Sequence, residues 1–128
     1  MLERFKADIL VTQLGADAHY LDPLSSLQLT THGQVALYRA LSELAPRWLA
    51  FGGGGYSMDA TPRAWTLAFS VMAGLDLPDE LPPRYRARYG GRTLRDAQSP
   101  RLDERVRQVN RREIEATVAQ VRRLHRIA

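Results

Sequence analysis

The run Ile9-Leu10-Val11-Thr12, which leads through Gln13-Leu14 into Gly15-Ala16-Asp17, decides the fold class. A continuous apolar, β-branched stretch of this length suits a strand covered on both faces, as in parallel sheets. Arg47-Trp48-Leu49-Ala50-Phe51 reads as a second buried strand and ends in the sharp loop Gly52-Gly53-Gly54-Gly55-Tyr56. Between the two, Thr31-His32-Gly33-Gln34 has capping-box spacing, with Thr31 as the cap. Val35, Leu37, Tyr38, Leu41 and Leu44 then recur at helical spacing until Pro46. After the glycines, Pro62 falls in the first turn of another helix whose apolar positions are Trp65, Leu67, Ala68, Val71 and Met72. Gly74 and Pro78 end it. Residues 8–74 therefore read β–loop–α–β–loop–α, a right-handed parallel unit of an α/β protein. Trp48, Trp65 and Phe69 are expected in its core.

Residues 1–6 read as the last turn of a helix or a lead-in, and Leu14 to Thr31 as a loop of about eighteen residues, long for a compact domain. Residues 75–100, rich in Pro, Arg and Gly, read as an extended surface segment. Leu102 to Ile127 reads as a long helix with a thin apolar stripe at Val106, Val109, Ile114, Val118, Val121 and Leu124. Two short parallel strands cannot make an independent sheet, because their faces and both edges need cover. More sheet is expected from elsewhere.

The chain has 128 residues, no cysteine and 45% hydrophobic residues, a length that fits one domain. Absence of cysteine excludes a disulfide scaffold and a thiolate zinc site, and fits a cytoplasmic protein. No apolar run approaches the ~18 residues of a membrane span. The net charge of +4 is uneven: residues 1–83 carry 5 basic and 9 acidic side chains, whereas residues 84–128 carry 13 arginines and 5 acids. Such a tail fits nucleic acid, an acidic partner or a solvated helix. Glu113 and Glu115 interrupt it and its only aromatics are Tyr85 and Tyr89, so the solvated helix is preferred and nucleic-acid binding ranks low.

In open α/β sheets, ligands sit beyond the carboxyl ends of the strands. Neighbouring parallel strands would bring Asp17 and Tyr56 to one rim. A carboxylate is a hard metal ligand and a phenol can donate to a developing oxyanion, the combination that metal-assisted amide or ester hydrolysis requires. Each piece alone stays open. Asp17 also fits a turn or helix cap, and four glycines after a strand also fit a phosphate cradle. No Lys-Ser/Thr follows them, however, so they are not a P-loop, and no dinucleotide fingerprint is satisfied. Asp17, His19 and Asp22 could be drawn as a metal site, although a solvated or locally hydrogen-bonded loop is the simpler reading. His32 and His125 read as surface residues.

Gln13-Leu14-Gly15-Ala16-Asp17, Asp22-Pro23-Leu24, Leu29-Thr30, Gly52-Gly53-Gly54-Gly55-Tyr56 and Arg63-Ala64-Trp65-Thr66 together resemble the C-terminal part of the zinc-dependent histone deacetylase family. His19-Tyr20-Leu21-Asp22-Pro23-Leu24 most resembles its bacterial acetoin-utilisation branch, and the likeness spans about residues 5–76. The resemblance implies an arginase/deacetylase-type parallel sheet with flanking helices. It implies that residues 1–76 are the C-terminal portion of the catalytic domain, and residues 77–128 an Arg-rich segment and helix packed on it. Asp17 matches one of three zinc ligands. Tyr56 matches the tyrosine that polarises the acetyl carbonyl. Leu24 matches a wall of the acetyl-lysine channel, and Gly54 and Gly55 the glycine loop beside it. Asp22 matches a structural loop carboxylate, and His19 matches no ligand.

The family's other two zinc ligands, an Asp-x-His pair, and its tandem histidines lie upstream of the Gly15-Ala16-Asp17 motif, where only fourteen residues, none a histidine, stand here. The expectation is therefore a C-terminal portion of a deacetylase of acetylated protein lysines or acetylated small amines. Alone it should neither hold zinc tightly nor turn over substrate. The alternative is a non-catalytic remnant that binds a partner, the missing N-terminal segment or a second copy, through its exposed sheet edge and basic tail.

Overall fold

The computed structural model describes residues 5–126. The expected lead-in therefore falls mostly, and Ile127 wholly, outside the described residues. The elements are β1 (Leu10–Gln13), α1 (Thr31–Ser42), β2 (Trp48–Phe51), α2 (Ala60–Met72), α3 (Pro83–Tyr89) and α4 (Glu104–Leu124). β1 and β2 pair in parallel with Leu10 opposite Trp48 and Gln13 opposite Phe51. The chain is thus α/β, with a two-stranded parallel sheet and four helices among the described residues.

Two apolar clusters hold it together. Leu14, Tyr38 and Ala68 are buried between the sheet and the helices, with Leu41, Trp48, Ala50 and Val71 packed against them. Val35, Leu67, Leu81 and Leu94 form the other, with Val71, Leu77 and Tyr85 around it. Leu81 and Leu94 correct one expectation. Residues 75–100 are not an extended surface segment, because residues 79–96 form a strap that closes one end of the core. Its ends are tied by Leu94 N–H to Asp79 O (2.6 Å) and Leu81 N–H to Arg92 O (3.1 Å), with α3 between them. The arginines of this strap hid two leucines at the positions that turn inward.

The cap of α1 differs by one residue from the expected one. Thr30, in extended conformation, accepts the Gly33 amide on its hydroxyl, whereas Thr31 is fully buried and bonded to Asp96. Two adjacent threonines are equivalent by propensity, and the tertiary acceptor decides between them. Leu37, read as an inward position, is exposed.

The sheet is covered on one side only. Leu10 and Leu14 face the helices, while Ile9, Val11 (59% exposed), Leu49 and Phe51 (55% exposed) stand open on the other. Trp65 and Phe69, expected in the core, are exposed beside the free edge of β2, although the Trp65 indole N–H donates to Leu14 O at 2.8 Å. Both belong to the open apolar surface that also includes Phe51 and Met72. α4 is capped by Asp103, whose carboxylate accepts the Arg105 amide at 2.7 Å, and it carries Arg122 and Arg123 in its last turn, where cations suit the helix dipole. It buries no residue, so its apolar stripe stays in solvent and the expected packing of this helix on the domain is absent from the described residues. No helix among them is long and apolar enough to cross a membrane.

Candidate functional site

Parallel pairing sends the loops after β1 and β2 out at the same end of the sheet, and hydrogen bonds then lock them together. Leu14 N–H donates to Phe51 O (2.7 Å) and Ala16 N–H to Gly54 O (2.6 Å). Asp22 finishes the join. Its Oδ1 accepts the Leu24 amide (2.9 Å), and its Oδ2 accepts the Tyr56 amide across the gap (2.7 Å). Burial pushes the Asp22 carboxyl up, but the amides of Tyr56, Leu24, Ser57 and Ser25 outweigh it and hold the group below the usual carboxylate range. The expected structural role of Asp22 is what the geometry shows.

The glycines let this rim close. A Cβ at Gly54 would collide with the Asp17 carboxylate. Gly55 has φ +141°, and a Cβ there would sit 2.7 Å from Thr61 Oγ1. The Asp17 carboxylate therefore lies over the glycine backbone two residues before Tyr56. It is half-buried, and no described residue donates to it or forms an ion pair with it. The Tyr56 side chain is 57% exposed and Leu24 is exposed on the same loop pair. The structure thus brings Asp17, Tyr56, Leu24, Gly54 and Gly55 onto one rim.

His19 and Asp96 reveal a group that sequence reasoning missed. His19 is fully buried, not solvated, and its Nε2 lies 2.9 Å from Asp96 Oδ2. Its Nδ1 accepts the Leu21 amide at 3.2 Å, which assigns the proton to Nε2 and makes the ring the donor to Asp96. Asp96 Oδ2 also accepts the Thr31 amide (2.7 Å) and hydroxyl (3.0 Å), and Oδ1 accepts Arg63 Nη1 (2.8 Å). Arg63 in turn spans to Asp59 Oδ2 (2.7 Å) and the Leu94 carbonyl (3.3 Å). His32, at the surface as expected, donates from Nε2 to Asp96 O at 3.0 Å. Burial opposes ionisation of Asp96, but His19, the Thr31 amide and Arg63 together hold its carboxyl far below the usual carboxylate range. Asp59 and Asp96 likewise outweigh burial and keep Arg63 charged. No local pattern announces this cluster, because its partners lie up to 77 residues apart.

These bonds dispose of the local metal reading. Both ring nitrogens of His19 are engaged, and both oxygens of Asp22 hold backbone amides. Asp17 is left with no second metal-ligating side chain beside it among the described residues. No group of three His, Cys, Asp or Glu side chains that could hold a metal ion occurs among the described residues. A catalytic zinc typically takes three protein ligands, so the residues present do not by themselves fit one.

Comparison with known proteins places the first 72 residues under the model of the histone deacetylase domain. The acetoin utilization protein AcuC of Bacillus subtilis (strain 168) is 39% identical over 87 residues, covering 63% of this chain and 22% of the relative. AcuC of Staphylococcus xylosus is 35% identical over 92 residues, 66% of this chain and 24% of the relative. The chloroplastic histone deacetylase 14 of Arabidopsis thaliana is 35% identical over 79 residues, 58% and 19% respectively. The chain spans about a fifth to a quarter of the length of these curated relatives.

Proposed function

The chain belongs to the histone deacetylase family, and from that premise we propose that it is the C-terminal portion of a zinc-dependent deacetylase of the arginase/deacetylase fold. In this reading the complete site hydrolyses an acetyl-lysine side chain or a similar acetylated amine. Asp17 is this chain's share of the zinc ligands, and Tyr56 its hydroxyl donor to the carbonyl oxygen of the acetyl group. Leu24, Gly54 and Gly55 line the acyl channel, where an apolar wall favours a slim aliphatic substrate. Residues 1–76 belong to the catalytic domain, with the Arg-rich remainder attached to it.

The single observation that carries the reading is the Asp22 bridge. A 2.7 Å bond to the Tyr56 amide holds the tyrosine loop against the loop of Asp17, whose carboxylate has no partner among the described residues. Because one carboxylate is no zinc site, the chain by itself is inactive in this proposal. Bound zinc and turnover of an acetyl-lysine peptide test it on the purified chain. Neither should be found alone. Both should appear when the chain is co-expressed with a polypeptide carrying an Asp-x-His pair and a tandem histidine pair on the same fold. Stoichiometric zinc with turnover by the chain alone would overturn it.

A second reading, a non-catalytic partner-binding remnant, rests on the open apolar face at Val11, Leu49 and Phe51. It requires a stable homodimer or a folded complex without deacetylation, which sedimentation equilibrium together with the same turnover assay distinguishes.

A further inference from the structure

Asp96 lies beyond the 72 residues that the family model matches, yet it grips the loop on which the rim depends. The path is short. His19 sits two residues after Asp17, and its own backbone fixes both neighbours: its N–H donates to Ala16 O (3.1 Å) and its carbonyl accepts the Asp22 amide (2.8 Å). Its ring adds a third tie, Nδ1 accepting the Leu21 amide. What holds the ring in that pose is its other nitrogen, bonded to Asp96 Oδ2. From Asp22 the path continues through the carboxylate to the Tyr56 amide.

We propose that Asp96, anchored by the strap 79–96, is a positioning residue of the rim: through His19 it sets the loop that presents Asp17, and through Asp22 the placement of Tyr56. The strap is suited to the task because its other contacts are rigid. Leu81 and Leu94 are locked in the core beside Val35 and Leu67. Arg63 binds the Leu94 carbonyl and Asp96 Oδ1 with the same Nη1. Thr31 closes a reciprocal pair, its hydroxyl donating to Asp96 Oδ2 while accepting the Asp96 amide (2.8 Å). Asp96 is thus fixed from α1, α2 and its own strap before it meets His19, and the loop after β1 is the partner with freedom to lose. That loop carries few apolar anchors of its own, since Leu21, Leu24, Leu27 and Leu29 are all exposed. Its order comes from polar bonds.

The naming of Asp17 and Tyr56 as functional groups rests on the reading proposed above. The clamp itself does not, and its test needs no turnover. Amide hydrogen exchange, followed by NMR on the full chain, should show Leu21, Asp22, Leu24 and Tyr56 exchanging roughly ten- to a hundredfold faster in Asp96→Asn, the scale of one lost charge-assisted hydrogen bond. Interior amides of α2, which lose only the Arg63 partner, should speed by a clearly smaller factor than those of the loop. The His19 imidazole nitrogens should show the Nε2-protonated tautomer in the wild type and lose that signature in the variant. Asp22→Asn should speed the Tyr56 amide while leaving the His19 signals unchanged, which fixes the direction of the coupling. Where Asp96→Asn fails to fold, Thr31→Val against Thr31→Ser decides: the valine should speed the same amides and the serine should restore them. Unchanged loop amides in a folded variant would overturn the proposal, as would a uniform rise across all elements. Either result would leave the deacetylase reading standing, whereas finding zinc and turnover in the chain alone would fell that reading and leave the clamp.

Discussion

Asp96 is enclosed by His19, the amide and hydroxyl of Thr31, and Arg63, whereas Asp17, two residues from that same histidine, has no donor among the described residues. Both carboxylates lie in the polar layer at the carboxyl end of a two-stranded sheet, and their surroundings are opposite. Both oxygens of the Asp96 carboxylate have assigned donors, as a buried charge requires. Around Asp17 the chain provides a glycine backbone to lie on and, among the described residues, nothing to satisfy the charge. The contrast separates two uses of one residue type. Asp96 is saturated by its own chain, as a carboxylate that builds structure can be, and an unsaturated carboxylate such as Asp17 is what the proposed ligand role requires.

The largest effect belongs to the saturated side. Asp96→Ala should destabilise the chain by ~3–5 kcal/mol, because it leaves the Arg63 guanidinium buried and uncompensated and strips His19 and Thr31 of their acceptor. Urea denaturation followed by circular dichroism measures it. A loss below ~1 kcal/mol would break the comparison at its root. Gly55→Ala comes next. At φ +141° a Cβ is strained, and it would meet Thr61 and Ala16, so ~1–3 kcal/mol is expected in the same assay.

The pH dependence of stability sharpens the contrast further. The folded-state pKa of Asp96 lies below its unfolded value of ~3.9. Its contribution is therefore complete above that value and is lost as pH falls from ~4 toward the depressed folded pKa. Unfolding free energies measured between pH 6 and pH 2 should fall on acidification, and Asp96→Asn should flatten most of that slope. Asp22, also depressed, acts in the same direction. An unaltered slope in Asp96→Asn would show that the acid sensitivity lies elsewhere.

What could be read from the residues follows the same division. The rim was legible because it depends on local pattern. A β-branched run stopping at Gly15 and a second apolar run stopping at four glycines place Asp17 and Tyr56 at one end of a parallel pair. The clamp was illegible because its partners come from four separate segments, and because Thr93-Leu94-Arg95-Asp96 lies among arginines that signal a surface. Leu94 and Asp96 alternate inward while Arg95 stays half-exposed and pairs with Asp79, a two-residue period too short to recognise without the core it faces. Thr31 illustrates the limit at single-residue scale. Propensity cannot choose between Thr30 and Thr31 as the helix cap, and the choice is made by a carboxylate 65 residues away.

The smallest effect is the most informative about Asp17. A side chain with no hydrogen bond or ion pair to lose should tolerate replacement, so Asp17→Asn should shift the unfolding free energy by no more than ~0.5 kcal/mol. Such indifference is not expected of an aspartate acting as a turn or helix cap, whose removal typically destabilises by ~1 kcal/mol. The substitution thus decides between the two roles that the residue types alone left open. A loss of ~1 kcal/mol or more would return Asp17 to the structural side of the comparison. Neutrality, set beside the heavy loss in Asp96→Ala, would mean that the chain holds Asp17 at the rim without drawing stability from its charge, and such a carboxylate remains available to a ligand.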